Sequence, residues 1–302
     1  MEMLYYEKEQ KILNIGNVKI GGQPGENPPV MIGTVFYSKH AANIDEKAGK
    51  FDKQLVEKEL TEFSEIVEDS GMQAIIDVIG SYPDSLVKKC EFIADLVDYP
   101  FLVDGLNDDI RVPAMEGLKE KGLLDRAILN SIDESTNQDS IEKFKEIGVK
   151  NTVLLTFGSH YIFPKQKFEF LTNSLIPKAE AAGIQNYFVD TAVLDLASIG
   201  INVEAVRLIK SELGIPCGFA PANAIYAWKY PRKYGESARC GGIASLMAYC
   251  LNAGSDFILF GPVKFSKCII PGMALIAGIN SYYRKRILRK NINEKTPFKK
   301  IF

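Results

Sequence analysis

The sequence contains few of the residues that build metal centres and disulfide frameworks. Its 302 residues include five cysteines, two histidines and one tryptophan. No two cysteines form a C-x-x-C pair and the histidines stand at no zinc-ligand spacing, which disfavours a zinc site. The odd number of cysteines and the lack of an apolar signal segment in the opening residues, MEMLYYEKEQ, favour a reducing, cytoplasmic location.

Strong net charge and long apolar runs are also missing. With 36 Lys and Arg against 38 Asp and Glu, the formal net charge is −2, which excludes the broad basic field of a general nucleic-acid binder. The most apolar run, residues 268–279, contains Pro271 and is too short to cross roughly 30 Å of membrane hydrocarbon. No apolar run is followed by G-x-G-x-x-G and no glycine-rich loop by Lys-Ser or Lys-Thr, which disfavours nucleotide sites.

The near-neutral total conceals a basic C-terminal tail. Residues 284–302 hold eight Lys or Arg and one acid, a local charge of +7, so the preceding 283 residues carry −9. Tails of this kind are typically solvated and frayed, and we expect the same here. The alternative is that the tail docks an acidic partner.

Short apolar runs alternate with amphipathic stretches along most of the chain. A hairpin signal comes first, at about residues 11–22 around the turn pair Gly16-Asn17. Stretches of helical periodicity, several of them ended by glycine, then separate eight apolar runs, at residues 30–37, 74–76, 101–103, 127–129, 153–155, 188–189, 215–219 and 257–260. Eight β/α units predict one α/β domain over residues 1–302, a (β/α)8 TIM barrel, with a doubly wound open sheet as the structural rival.

A polar residue stands at or just after the end of five of these strands. The residues are Asp77, Asp104, Asn130, Asp190 and Asn223. Because the carboxyl ends of barrel strands ring one mouth, where active sites of this fold lie, we expect three carboxylates and two amides to face a common cavity. Such a ring suits either Mg²⁺ or Ca²⁺, or a heterocycle that donates several N–H groups to the carboxylates.

The motifs around these residues resemble those of a known family. IIDVIG, FLVDGL, AILNSI, YFVDTA and CGFAPANAIYAW, in this order and spacing, are similar to the motifs of the pterin-binding methyltransferase barrels. Within that group the resemblance is to the H subunit of tetrahydromethanopterin S-methyltransferase and to bacterial relatives that methylate tetrahydrofolate. It extends over about residues 10–283.

The resemblance implies that a methyl group moves from methylcobalamin, carried by a corrinoid-binding partner protein, to N5 of tetrahydrofolate; tetrahydromethanopterin is the alternative acceptor. It implies that Asp104, Asn130 and Asp190 hold the 2-amino-pyrimidinone edge of the pterin and that Asp77 lines the pocket. Asn223 would be the catalytic amide near N5. A homodimer, and a chain that binds no metal of its own, are expected on the same ground.

Two other interpretations stay open at this point. One is a dihydropteroate synthase-like or aldolase-like barrel, although the synthases need a lysine on strand seven, where this chain has Cys217-Gly218-Phe219. The other is a non-catalytic pterin-binding subunit that docks partners through its acidic body and basic tail. His40 and His160 follow the first and fifth strands, and we assign neither of them a role.

Overall fold

The structure, a computed structural model that describes residues 5–302, begins with the hairpin. Strands β1 (Ile12–Ile15) and β2 (Val18–Gly21) pair antiparallel, and Gly16 supplies the positive φ of 54° that their tight turn requires. Ile15, Val18 and Ile20 are buried against apolar side chains of the barrel strands. Backbone groups of Lys19 also bond to the Gln73 side chain, at the start of a barrel strand. The hairpin therefore covers the amino-terminal end of the barrel.

The remaining strands and the helices between them follow along the rest of the chain. In order they are β3 (Val30–Val35), β4 (Asn43–Asp45), β5 (Lys50–Phe51), α1 (Lys53–Ser70), β6 (Gln73–Gly80), α2 (Pro83–Leu96), β7 (Phe101–Gly105), α3 (Asp108–Glu120), β8 (Ala127–Ile132), α4 (Gln138–Ile147), β9 (Asn151–Leu155), α5 (Pro164–Phe170), α6 (Ile176–Ala181), β10 (Asn186–Asp190), α7 (Ile199–Leu213), β11 (Cys217–Phe219), α8 (Ala222–Ile225), α9 (Glu236–Asn252), β12 (Phe257–Pro262), α10 (Ser266–Arg286) and α11 (Pro297–Ile301).

Within residues 5–302, eight parallel strands close into a barrel, which confirms the predicted (β/α)8 fold. The last strand, β12, pairs with the first, β3, and this pairing excludes the open-sheet rival. Alternate side chains of the strands form a separate apolar cluster with the hairpin, and the strand members are Val30, Ile32, Ile75, Leu102, Ile128, Val153, Phe188 and Phe257. This filling leaves only the carboxyl end of the barrel available for polar groups.

Two local features differ from the expectation. Asp77 and Asn130 do not end their strands, because β6 continues for three more residues, to Gly80, and β8 for two more, to Ile132. The alternation of side chains between the two faces of β6 continues past its polar residue. A small antiparallel pair, β4 with β5, lies in the segment between β3 and α1, where the sequence showed no strand signal.

Helix α10 follows the last strand of the barrel. With the turn before it, the segment Val263–Arg286 is long and apolar enough, by length and composition alone, to cross a membrane, and among the described residues it is the one such segment. Half of its most apolar stretch is buried within the fold, and α10 packs on α1, α9 and α11. The core helix of a soluble protein meets the same criterion. The length and apolar composition of this segment are therefore weak evidence for a membrane span.

The basic tail is partly packed, and the expectation of a frayed tail was wrong. Its last turn forms α11, which contacts α10 and α1. Thr296 and Pro297 are buried, and the Phe298 ring lies 5.3 Å from the ring of Tyr282. Apolar residues among the tail's cations therefore anchor it to the barrel.

Two cysteines come together although their spacing predicted no pair. Cys240 in α9 and Cys268 in α10 form a disulfide between the neighbouring helices, with 5.6 Å between the Cα atoms. Only the packing of the two helices brings them close, since 28 positions separate them in the chain. The remaining cysteines, Cys90, Cys217 and Cys250, are buried free thiols.

Candidate functional site

A cavity of about 740 Å³ opens at the carboxyl ends of the barrel strands. All five side chains singled out in the sequence line it, namely Asp77, Asp104, Asn130, Asp190 and Asn223. Its size suits a small organic ligand. Among residues 5–302, no three His, Cys, Asp or Glu side chains converge in a way that would hold a metal ion.

Asp77 and Asp104 are neighbouring acids on the adjacent strands β6 and β7, and the ionisation of each affects the other. The Thr34 hydroxyl, opposite Asp77 in β3, donates to its Oδ2 at 2.8 Å. Burial raises the pKa of Asp77 well above its usual range, and the nearby Asp104 charge raises it further. Burial also raises the pKa of Asp104, to about 7, although Arg111 opposes the shift. The buried Oδ1 of Asp77 has no hydrogen-bond partner in the described chain.

Asp104 and Asn130 lie side by side, because their positions are paired in the register of β7 and β8. Both are partly exposed to the cavity. The Asn130 amide makes no hydrogen bond to any part of the chain that the structure describes. When Asp104 is ionised, a carboxylate that only accepts stands next to an amide that both donates and accepts. This pattern complements a ligand edge on which N–H donors adjoin a carbonyl.

Asp190 is the third acid of the cavity and ends β10. The backbone N–H of Ala192 donates to its Oδ1 at 2.7 Å, which fixes the carboxyl group. Burial raises the pKa of Asp190 to about 6, while this hydrogen bond and the charge of Lys167 act in the opposite direction. The second oxygen, Oδ2, bonds to no residue of the described chain. It is thus available to a ligand.

Asn223 lies on the rim of the cavity rather than on its floor. It is the second residue of the short helix α8 and is exposed. Its backbone N–H donates to the Ala220 carbonyl at 3.3 Å, and no side chain caps this helix. The amide is therefore not engaged as a helix cap, the role that an Asn after a strand most often has.

The remaining polar residues of the cavity carry no signal in the sequence. Arg111, on α3, is 2% exposed, and its Nη1 donates to the Ser131 carbonyl at 2.6 Å and to Asp133 Oδ2 at 2.8 Å. It stands in a helix and not at a strand end, so only the fold brings it to the mouth. The other side of the mouth carries cations and aromatic rings, namely Tyr37, Lys39, Tyr226, Arg239, Lys264 and Phe265.

Neither histidine lines the cavity. His40 is buried; its Nδ1 accepts from the Phe36 backbone N–H at 3.1 Å and its Nε2 lies 2.9 Å from Glu59. Since Nδ1 accepts, Nε2 carries the proton and donates to Glu59. His160 is exposed in a separate depression next to α5.

Comparison with known proteins agrees with this geometry. A family described as "Tetrahydromethanopterin S-methyltransferase MtrH subunit" matches residues 8–291. The chain belongs to this family. It is a methyltransferase of the pterin-binding type.

Curated relatives match over nearly the whole chain. The H subunit of tetrahydromethanopterin S-methyltransferase from Methanothermobacter marburgensis is 32% identical over 286 residues, which cover 90% of this chain and 92% of the relative. The H subunit of the putative methyltransferase mtx from Methanosarcina barkeri is 33% identical over 284 residues, with 90% and 92% covered. The H subunit of the tetrahydromethanopterin S-methyltransferase from Methanocaldococcus jannaschii is 30% identical over 319 residues, with 99% of this chain and 100% of the relative covered.

Solved structures that resemble this family member share its fold. Dihydropteroate synthase of Yersinia pestis superposes with a TM-score of 0.63 at 14% identity and covers 90% of this chain and all of its own. The enzyme of Xanthomonas albilineans reaches 0.58 at 14% identity, covering 89% and 98%. At this identity the likeness establishes the barrel alone. Strand β11, the seventh of the barrel, consists of Cys217, Gly218 and Phe219 and has no lysine.

Proposed function

We propose that the protein transfers a methyl group between a corrinoid carried by a partner protein and N5 of a tetrahydropterin bound in the barrel mouth. One observation carries the proposal: acids and amides from several different strands and loops turn their unpaired polar atoms into one cavity. The family supplies the reaction class, and the cavity supplies the acceptor chemistry.

The carboxylates suit the amino-pyrimidinone edge of a pterin. Its 2-amino group and N3–H are donors, which match Asp104 and the unpaired Oδ2 of Asp190, and its O4 accepts from the Asn130 amide. Asp77 contributes through its neighbour: burial and the Asp104 charge raise the pKa of Asp77, and a protonated Asp77 leaves Asp104 as the charged acceptor of the two. These contacts orient the ring so that N5 faces the open mouth, and orientation of this kind accounts for a large part of the rate of such a displacement.

The reaction requires no nucleophile from the protein. The N5 lone pair forms the new C–N bond, the cobalt–carbon bond breaks with its electron pair left on cobalt, and the N5 proton is released. The Asn223 amide on the rim can accept from the N5 proton beforehand and donate to the N5 lone pair afterwards. Its contribution is therefore to the change of charge at N5 and not to anchoring the ring.

The names of the relatives bear on which tetrahydropterin is the acceptor. Two of the three relatives described above are named for tetrahydromethanopterin, which supports that acceptor over tetrahydrofolate, the first expectation from the sequence. The two pterins share the edge that the acids would hold. Calorimetric titration of the protein with each acceptor distinguishes them, and we expect the tighter one to be the substrate.

The decisive experiment is a methyl-transfer assay. Free methylcobalamin, or the corrinoid protein of the source organism, is mixed with the protein and each tetrahydropterin, and loss of the methyl-cobalt(III) absorbance is followed together with formation of the N5-methyl product. We expect turnover that depends on both protein and pterin. Tight pterin binding without any turnover, with either donor, would instead support the non-catalytic subunit.

A further inference from the structure

The mouth of the barrel has two chemically different sides. The acids and Asn130 stand on β6, β7, β8 and β10, and they account for the ring of a pterin. The segments that follow β3, β11 and β12 instead carry Tyr37, Tyr226, Arg239, Lys264 and Phe265, which we call the cation–aromatic wall. The proposed function leaves this wall without a role.

The wall is an ordered array and not a scatter of surface cations. The Lys264 ammonium lies 5.6 Å from the ring centroids of both Tyr37 and Phe265. The Arg239 guanidinium lies 5.0 Å from Phe265 and 5.9 Å from Tyr226. The rings of Tyr226 and Phe265 are stacked at 5.0 Å. Each cation thus lies near two aromatic rings, within the range of a cation–π interaction.

The same side chains retain unused hydrogen-bonding capacity. Arg239 uses Nη1 in an ion pair with Glu236, and its other two nitrogens bond to nothing in the described chain. Lys264 forms no ion pair within residues 5–302. The Tyr37 hydroxyl is buried without a partner among those residues. By contrast, the Tyr226 hydroxyl is satisfied, since it donates to the Phe260 carbonyl at 2.8 Å.

These properties define the ligand that would fit. Aromatic side chains contact a flat ring of a ligand. Two cations and a hydroxyl without a partner bind a carboxylate or phosphate. The wall also lies after the seventh and eighth strands, where barrels of this fold commonly bind anionic groups. A pterin head fills only part of the cavity, and the tail of a tetrahydropterin coenzyme continues as an arylamine that leads to anionic groups.

We infer that the cation–aromatic wall is the subsite for the tail of the tetrahydropterin: its rings contact the arylamine, and Arg239 and Lys264 bind the anionic group beyond it. The inference rests on the proposed function, because it takes the pterin head to be held by the acids. It assigns selection of tailed coenzymes over bare pterins to residues on the opposite side of the mouth.

The test compares a tailless ligand with tailed ones. Calorimetry measures the dissociation constants of 6-methyltetrahydropterin, tetrahydrofolate and tetrahydromethanopterin for the wild type and for Arg239→Met with Lys264→Met. We expect the double variant to bind the preferred tailed ligand about tenfold or more weakly. Its affinity for 6-methyltetrahydropterin should change less than about twofold, the effect expected for groups that a ligand does not reach.

Salt and a matched variant control for general charge effects. Affinity of the wild type for the tailed ligand should fall with added salt more steeply than affinity for the tailless one, and the double variant should lose this difference. Lys267→Met removes an exposed lysine of α10 that pairs with Glu62 and does not line the cavity, so it should leave all the constants unchanged.

The outcomes separate this inference from the proposed function. Equal losses for tailed and tailless ligands, or no loss for either, would overturn the tail subsite. Unchanged binding of every pterin, with slower transfer from the corrinoid protein only, would overturn it too and give the wall to the partner. If 6-methyltetrahydropterin binds equally well to the wild type and to Asp104→Ala, the proposed function itself fails.

Discussion

Lys167 and Asp190 are linked through the backbone of a single loop. The Lys167 ammonium donates to the Thr191 carbonyl at 2.6 Å and to the Thr156 carbonyl at 3.2 Å. Ala192, which follows Thr191, has a left-handed φ of 53° and donates its N–H to Asp190 Oδ1. A buried lysine on α5 thus holds the loop whose unusual conformation fixes a cavity carboxylate.

Lys167→Met should therefore weaken both the fold and the site. It removes the donor to three backbone carbonyl groups, those of Thr156, Thr191 and Ala192, which costs about 2–4 kcal/mol of unfolding free energy. Pterin affinity should fall as well, because Asp190 loses its fixed position. Urea denaturation and calorimetry measure the two effects. Lys165→Met, an exposed lysine on the same helix, is the control and should change neither; a Lys167 variant that matches it would contradict the linkage.

Pterin affinity should rise with pH between about 6 and 7, because the pKa of Asp190 is raised to about 6 and that of Asp104 to about 7. The carboxyl group of Asp190 accepts a second N–H only when it is ionised, above about pH 6. Below that pH the protonated carboxyl group is itself a donor, and it then faces the N–H donors of the ligand. Calorimetric titrations between pH 5 and pH 8 measure the rise. The ionisation of one group changes the affinity by at most roughly tenfold per pH unit. A flat profile would remove both acids from the pocket.

The same shifted acid should destabilise the fold at neutral pH. Because the folded-state pKa lies above the ordinary value, the folded protein keeps a proton that the unfolded chain has released, and stability is lost as pH rises from about 4 to about 6. Asp190→Asn removes the penalty. We expect the variant to match the wild type near pH 4 and to exceed it by roughly 1–3 kcal/mol at pH 8. Equal stability at both pH values would contradict the raised pKa.

Asp104→Ala should mainly weaken pterin binding. Loss of a charged acceptor from a buried heterocycle costs about 1.5–3 kcal/mol, roughly a 10- to 150-fold rise in the dissociation constant. Circular dichroism checks that the barrel persists. The control is Asp125→Ala, an exposed acid whose ion pair with Lys150 lies away from the cavity. Unchanged pterin affinity in an intact Asp104 variant would refute the assigned pocket.

Asn223→Ala should act on turnover and not on binding. An amide that follows the change of charge at N5 contributes mostly in the transition state, so kcat should fall about 10- to 1000-fold. The dissociation constant of the pterin should move less than it does in Asp104→Ala. If affinity collapses while kcat at saturation is kept, Asn223 is an anchor, and the role near N5 belongs to another residue.

The barrel and the acid ring were predictable from the sequence because both follow from local pattern. Continuous apolar strands ended by Asp or Asn are visible in the chain, and parallel strands bring their carboxyl ends together without further information. Asp77 illustrates the limit: its strand continues past it, so a polar residue marks the mouth without marking the strand end.

What could not be predicted depends on packing between distant helices. Arg111, Arg239 and Lys167 stand inside helical patterns, where a cation ordinarily faces solvent. Only the packing of each helix against the barrel brings these side chains inward. The Cys240–Cys268 pair has the same origin, as does the anchored tail, whose phenylalanine counted for more than its charges.

The covered lower end of the barrel has a kinetic consequence. Since the hairpin and the apolar cluster block passage from below, both reactants of the proposed transfer have to arrive through the same opening. A corrinoid seated over that opening would seal the deeper pterin beneath it. We therefore expect a compulsory order, in which the pterin enters before the corrinoid protein docks and leaves only after it departs.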